Sequence, residues 1–160
     1  MKRSTKKDDG IPAIGEGKRG VDGHIGYLLR QAHSAHRIRM EGALAATSTG
    51  MTLPQFSVLT MLAAYPGASG AALARLSLLT PQTMSVIVAN LAKATLVVRS
   101  AHPGHGRIQS IDLTLEGRRV LARCKRAVAG VEATLLAGLA DSEAAVVRRW
   151  LVNVARELDE

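Results

Sequence analysis

Between residues 52 and 113 the apolar residues change their spacing, from threes and fours to twos, and helix-start residues recur before the change. Thr52 followed by Pro54 and Gln55 reads as one such start, because a hydroxyl accepts a free first-turn N–H and proline fits where no N–H is needed. Phe56, Leu59 and Leu62 then face inward, and Pro66-Gly67 closes the segment. Ser69 caps a short helix carrying Leu73, Ala74 and Leu76, and Thr80-Pro81 opens another carrying Met84, Ile87, Val88 and Leu91. Leu96-Val97-Val98 is strand-like and Gly104 and Gly106 bracket a turn. Beyond them Ile108, Ser110 and Asp112 alternate with Gln109, Ile111 and Leu113. The expectation is three short helices and then a β-hairpin with a basic tip.

Longer helical patterns flank this segment. From Asp22, the residues Ile25, Leu28, Leu29, Ala32 and Ala35 recur at threes and fours, with Gly50 as the stop. Thr114, three residues before Gly117, caps a long helix in which Leu121, Cys124, Val128, Val131 and Leu135 step by three and four. Asp141 or Ser142 caps a last helix with Val147, Leu151, Val154 and Leu158 at the same spacing. Such spacing makes each stripe a seam for another helix. Residues 1–21 mix charge with Gly10, Pro12, Gly15, Gly17 and Gly20 and carry no apolar period, so a flexible basic tail is expected there.

The charge balance narrows the partners. Of the formal +8, residues 1–21 contribute six Lys/Arg against three Asp/Glu, which leaves +5 on residues 22–160. A basic folded part favours a polyanion, because Lys and Arg that neutralise phosphates release condensed counterions. No uncharged apolar run approaches the roughly 18 residues that span a bilayer, and no membrane partner is expected. Lys2, Arg3, Lys6 and Lys7 are followed by Asp8 and Asp9 rather than the apolar stretch of a secretory signal. One cysteine, Cys124, forms no internal disulfide, so the expected location is the cytoplasm, at the nucleoid.

Helix, helix, recognition helix and two-stranded wing is the order of a winged helix-turn-helix, in which one helix enters the major groove and the hairpin reaches the minor groove. That reading needs a tight turn, a recognition helix opening with small polar groups, and a cation at the hairpin tip. Leu78-Leu79-Thr80-Pro81, then Gln82, Thr83 and Ser85, then Arg107 beyond Gly104 and Gly106, supply all three. The fold class expected is mainly α with a small β-hairpin wing.

At this point the sequence resembles the MarR (multiple antibiotic resistance regulator) family, through "MTLPQFSVLTMLAAYPGASGAALAR" (51–75), "LTPQTMSVIVANLAKATLVVR" (79–99) and "HPGHGRIQSIDLTLEGRRVL" (102–121). The resemblance implies a MarR-type domain over 22–160. In it, 52–113 would read double-stranded DNA as the winged helix-turn-helix, and 22–50 and 114–160 would be the N- and C-terminal dimerisation helices. It also implies a homodimer on a pseudo-palindromic operator, most often a repressor, released by a small, frequently aromatic, ligand. In that family the first helix lines an effector pocket, which makes His24, Tyr27 and His33 the ligand contacts to look for.

Two positions depart from the family pattern: His105 stands where an Asp usually orients the wing arginine, and Thr95 where a glycine usually precedes "LV". Relatives often carry Arg in the recognition helix where this chain has Val86 and Asn90. Base reading therefore falls to Gln82, Thr83, Ser85 and Asn90, with methyl contacts from Val86 or Ala89, since amides pair with adenine and apolar groups with thymine. Arg75, Lys93, Arg99 and a protonated His105 are expected at phosphates, Arg107 in the minor groove, and Ser69 among the DNA contacts.

No nucleophile elbow, phosphate loop, metal quartet or acid pair appears, so no enzyme activity, cofactor or metal is expected. A sequence-nonspecific architectural DNA-binding protein is one alternative. A redox- or metal-responsive regulator is the other, working through Cys124 or through His33 and His36 one turn apart. Cys124 on an apolar seam otherwise reads as a small buried hydrophobe.

Overall fold

The computed structural model describes residues 10–102 and 105–158, with backbone alone for residues 102 and 105–108. Two compact units divide the chain, Met1–Arg39 and Met40–Glu160.

In the first unit, residues 10–23 are hydrogen-bonded although they carry no apolar period. A 3-10 turn, Gly17–Arg19, is closed by the Arg19 guanidinium, whose Nη1 donates to the Pro12 carbonyl at 2.7 Å. Gln31 Nε2 in turn donates to the Arg19 carbonyl at 3.1 Å. A Cβ at Gly20 would overlap the Gly15 carbonyl, so this turn needs glycine there. Helix α1 (Ile25–Ala45) begins three residues later than Asp22 and ends before Gly50, which takes φ +67° in the loop that follows. Leu28 and Leu29 are half-buried, whereas Ile25, Ala32 and Ala35 are exposed.

The second unit holds the core. Helix α2 (Leu53–Ala64) opens with the expected cap: Thr52 Oγ1 accepts the Gln55 N–H at 3.4 Å, and Gln55 Oε1 accepts the Thr52 N–H at 3.0 Å. Phe56, Val58, Leu59 and Leu62 are buried. Ser69 caps α3 (Gly70–Leu76) through the Ala72 N–H at 3.2 Å, and Thr80 caps α4 (Pro81–Lys93) through the Thr83 N–H at 3.2 Å. Leu73 and Ala74 of α3 meet Met84, Ile87, Val88 and Leu91 of α4 in that core, while Leu76 is exposed.

The axes of α3 and α4 turn by 110° across residues 77–80, the angle of a helix-turn-helix. Taken together the two have the length and composition of a broken membrane span. Their apolar sides are occupied by the core, and among the described residues no single helix is long and apolar enough to cross a membrane.

Both helices end in the same way. The Leu79 N–H returns to the Ala74 carbonyl and the Leu78 N–H to Arg75, with Leu78 at φ +55°; Leu96 returns to Leu91 and Thr95 to Ala92, with Thr95 at φ +59°. These are Schellman endings, whose left-handed residue is usually glycine. A β-branched residue is strained there, which explains why Thr95 marks a departure from the family pattern. Thr95→Gly removes a left-handed penalty of about 1–2 kcal/mol and adds back about 0.5–1 kcal/mol of unfolded-chain freedom. We expect a net gain of roughly 0.5–1 kcal/mol, read as a higher urea midpoint at unchanged slope. A lower midpoint would show that the Thr95 side chain stabilises the fold by more than its strain costs.

Strands β1 (Ala68–Ser69), β2 (Val97–His102) and β3 (His105–Leu113) form an antiparallel sheet in the order β1-β3-β2. The hairpin register pairs Val97 with Leu113 and Ser100 with Ser110, and shifts between Ala101 and His102. Strand β1 is an addition to the expected hairpin, pairing Ala68 with Ile111 and Ser69 with Ser110. Two polar links lie at the base of the wing. Asp112 Oδ1 accepts the Gly67 N–H at 2.7 Å, and the Ser100 and Ser110 hydroxyls stand 2.7 Å apart.

Two expectations for the C-terminal helices need correction. In α5 (Leu115–Leu135), capped by Thr114 as expected, Leu121, Cys124 and Val128 are buried in the chain's own core and Val131 packs against it. Most of that stripe is therefore not free to form a seam with another chain; Leu135 at its end is exposed. Helix α6 (Asp141–Glu157) is capped by neither Asp141 nor Ser142: its N-cap is Ala140, whose N–H donates to Glu143 Oε2 at 2.7 Å. Ala144 is buried, but Val147, Trp150, Leu151 and Val152 are each at least 40 % exposed, so α6 presents apolar surface to water.

Candidate nucleic-acid interface

The burial of Met84, Ile87, Val88 and Leu91 decides which side of α4 faces out. Gln82, Val86, Ala89, Asn90 and Lys93 follow one another along the exposed side, with Thr83 and Ser85 beside its first turn. This first turn carries no acidic residue, so its partial positive charge is available to an anion. Thr80 Oγ1, which accepts the Thr83 N–H as the cap, donates its proton to Thr83 Oγ1 at 2.9 Å and so orients the Thr83 hydroxyl. Two cations predicted at phosphates are also exposed: Arg75 in the last turn of α3 and Arg99 on β2.

Ser69, Ser85 and Arg99, expected as separate DNA contacts, meet around one cleft of about 460 Å³ between the start of α3, α4 and the sheet. Its floor includes Met84, Val88 and Ile111, and its rim includes Gln109. Sequence reasoning did not single out Gln109 as a site residue; its signal is the two-residue period of β3, which sets its side chain on the face opposite Ser110, where it is exposed. A second cleft, of about 510 Å³, lies where Glu41 and Ala45 of α1 meet residues 50–54. His105 and Arg107 belong to β3, but their side chains lie outside the described residues.

The residues expected at an effector belong to the first unit. His24 and His33 are exposed, and Tyr27 is half-buried with the Arg30 guanidinium 5.7 Å from its ring centre. Cys124 is fully buried, its Sγ 3.7 Å from Thr49 Oγ1. Among the described residues no three His, Cys, Asp or Glu side chains gather where a metal ion would need them.

A helix pair bent at 110°, the second helix polar and exposed along one side and backed by a small antiparallel sheet, is a winged helix-turn-helix. Residues 49–108 match the family model described as MarR family. The chain is 35% identical over 136 residues to the HTH-type transcriptional repressor Rv2887 of Mycobacterium tuberculosis, covering 85% of this chain and 96% of that protein. The chain belongs to the MarR family; it is a transcriptional regulator and not an enzyme.

Solved structures agree. The PcaV transcriptional regulator of Streptomyces coelicolor, in complex with its natural ligand, superposes with a TM-score of 0.73 at 30% identity, over 85% of this chain and 94% of PcaV. The transcriptional repressor CouR bound to a 23-mer DNA duplex gives a TM-score of 0.75 at 26% identity, over 88% of this chain and 98% of CouR.

Proposed function

We propose that this regulator is a homodimeric repressor, acting in the cytoplasm at nucleoid DNA, that binds a pseudo-palindromic operator and is released by a small aromatic acid. The observation that carries the reading is the exposed polar side of α4 from Gln82 to Lys93, held at 110° to α3. In this reading residues 52–113 read DNA and residues 22–50 and 114–160 pair the subunits. The exposed apolar residues of α6 support the pairing, because contiguous apolar surface is seldom left to water. The repressor Rv2887 and DNA-bound CouR support the DNA reading.

The effector part rests on the cleft around Arg99. A guanidinium and the Ser69 and Ser85 hydroxyls above an apolar floor suit a small aromatic carboxylate. Occupancy would take Arg99 and Ser85 from DNA, and so weaken the operator complex. The structure of Rv2887 with salicylic acid accords with such chemistry. His24, Tyr27 and His33 of the first unit stay the candidate effector contacts on the N-terminal side in this reading.

Operator titrations test both parts. Gln82→Ala and Asn90→Ala are expected to relax base preference at definable positions, by roughly 1–3 kcal/mol for each bidentate pair of hydrogen bonds removed. Lys93→Ala should weaken all sequences alike and lower the salt slope by about 1. Added salicylate should release wild type but not Arg99→Ala. An unchanged consensus in both amide variants would remove them from base reading, and equal release of Arg99→Ala would remove the cleft.

A further inference from the structure

The end of the recognition helix and the start of α5 share one hydroxyl. Thr114 Oγ1 accepts the Gly117 N–H at 2.9 Å, which is the α5 cap, and donates its proton to the Thr95 carbonyl at 2.7 Å. The Thr114 N–H donates to the neighbouring Leu96 carbonyl at 3.1 Å. Thr95 and Leu96 form the Schellman ending of α4, where the Leu96 N–H returns to Leu91 at 2.9 Å. Gly117 lets α5 sit directly on the Leu96 carbonyl, since a Cβ would overlap it. Backbone groups and one side-chain hydroxyl thus tie the two helix ends together.

We infer that Thr114 is a positioning residue for DNA binding: its hydroxyl sets the angle between α4 and α5. The lever is long enough to matter. With 13 residues α4 is about 20 Å long, so pivoting it by about 10° at its C-terminal end moves its N-terminal turn by about 3.4 Å, one base-pair step. In a dimer joined through its C-terminal helices, this angle sets the distance between the two recognition helices and hence the half-site spacing. That last step rests on the homodimeric operator reading; the tie itself does not.

Two substitutions separate the hydroxyl's roles. Thr114→Asp keeps an acceptor for the Gly117 N–H and suits a helix N-terminus, but as a carboxylate it has no proton for the Thr95 carbonyl. Thr114→Ser keeps both roles. Thermal melting and sedimentation first establish that each variant is folded and assembled as wild type. In Thr114→Asp, amide exchange at Thr95 and Leu96 should quicken about fivefold, the ratio one such hydrogen bond commands, while Gly117 stays protected. The preference between operators differing by one base pair in half-site spacing should shrink by about the same factor. This preference is a ratio, so a uniform loss of affinity from the added charge leaves it unchanged. Thr114→Ser should match wild type in both measurements. Unchanged exchange and spacing preference in Thr114→Asp, or equal changes in Thr114→Ser, would overturn the inference. A wild-type protein indifferent to spacing would overturn the operator geometry, leaving the exchange comparison to decide the tie.

Discussion

Gly117→Ala is expected to lower the melting temperature by about 10 °C, although alanine is the better helix former by about 1 kcal/mol. The added methyl would overlap the Leu96 carbonyl oxygen, a backbone atom that no rotamer change can move aside. Relief requires α5 to lift from the end of α4, which would stretch the Thr114 N–H bond to Leu96 and loosen Leu121 and Cys124 in the core. Overpacking of well-filled sites costs about 1–3 kcal/mol, and the broken joint adds to it, so a net loss of about 3 kcal/mol remains after the propensity gain. Differential scanning calorimetry decides the matter. A variant melting within about 2 °C of wild type would mean that α5 shifts freely at this point.

Leu151→Asp should leave the fold in place and abolish assembly. Leu151 is 46% exposed, with Val147 one turn before it and Val154 half-buried one turn after, so the chain's own core loses little. In a two-fold interface each substitution counts twice. Losing the burial of a leucine, about 1.5–3 kcal/mol, and placing a carboxylate in the seam should each act on both subunits. The dimer dissociation constant should therefore rise by at least about 100-fold, and operator affinity should fall with it. Sedimentation velocity and operator titration on one preparation measure both. A wild-type chain that is monomeric at micromolar concentration and still binds operator tightly would refute the dimer, whatever the variant does.

The caps of α2, α3, α4 and α5 are legible in the sequence because each is a hydroxyl just before an apolar period, and the local hydrogen bond needs no tertiary context. Strand β1 is not: two residues, Ala68 and Ser69, carry no period, and only pairing with Ile111 and Ser110 makes them a strand. The left-handed endings at Leu78 and Thr95 are hidden for another reason, since the usual mark of that conformation is glycine and neither position has it. For α5 the period is right and its expected partner is not. A stripe at threes and fours is the same whether it meets the chain's own α2 or a second chain, and Leu121, Cys124 and Val128 meet their own core. The exposed side of α4 is legible residue by residue, because the buried positions determine the exposed ones. The cleft that gathers Ser69, Ser85 and Arg99 depends on how α3, α4 and the sheet pack, which no local spacing encodes.

The strand order β1-β3-β2 also bears on how this protein avoids self-association of the wrong kind. Unpaired strand edges invite addition of further strands from other molecules, the first step toward fibrils. On one side the sheet ends in β1, whose two residues offer too short a template. On the other it ends in β2, six residues long, with Arg99 exposed near its middle and a register shift at Ala101. A charged side chain and an irregular register both discourage an incoming strand. Arg99 is thus placed as a gatekeeper on the outer edge of the wing, and substituting it with an uncharged β-former is expected to lower solubility.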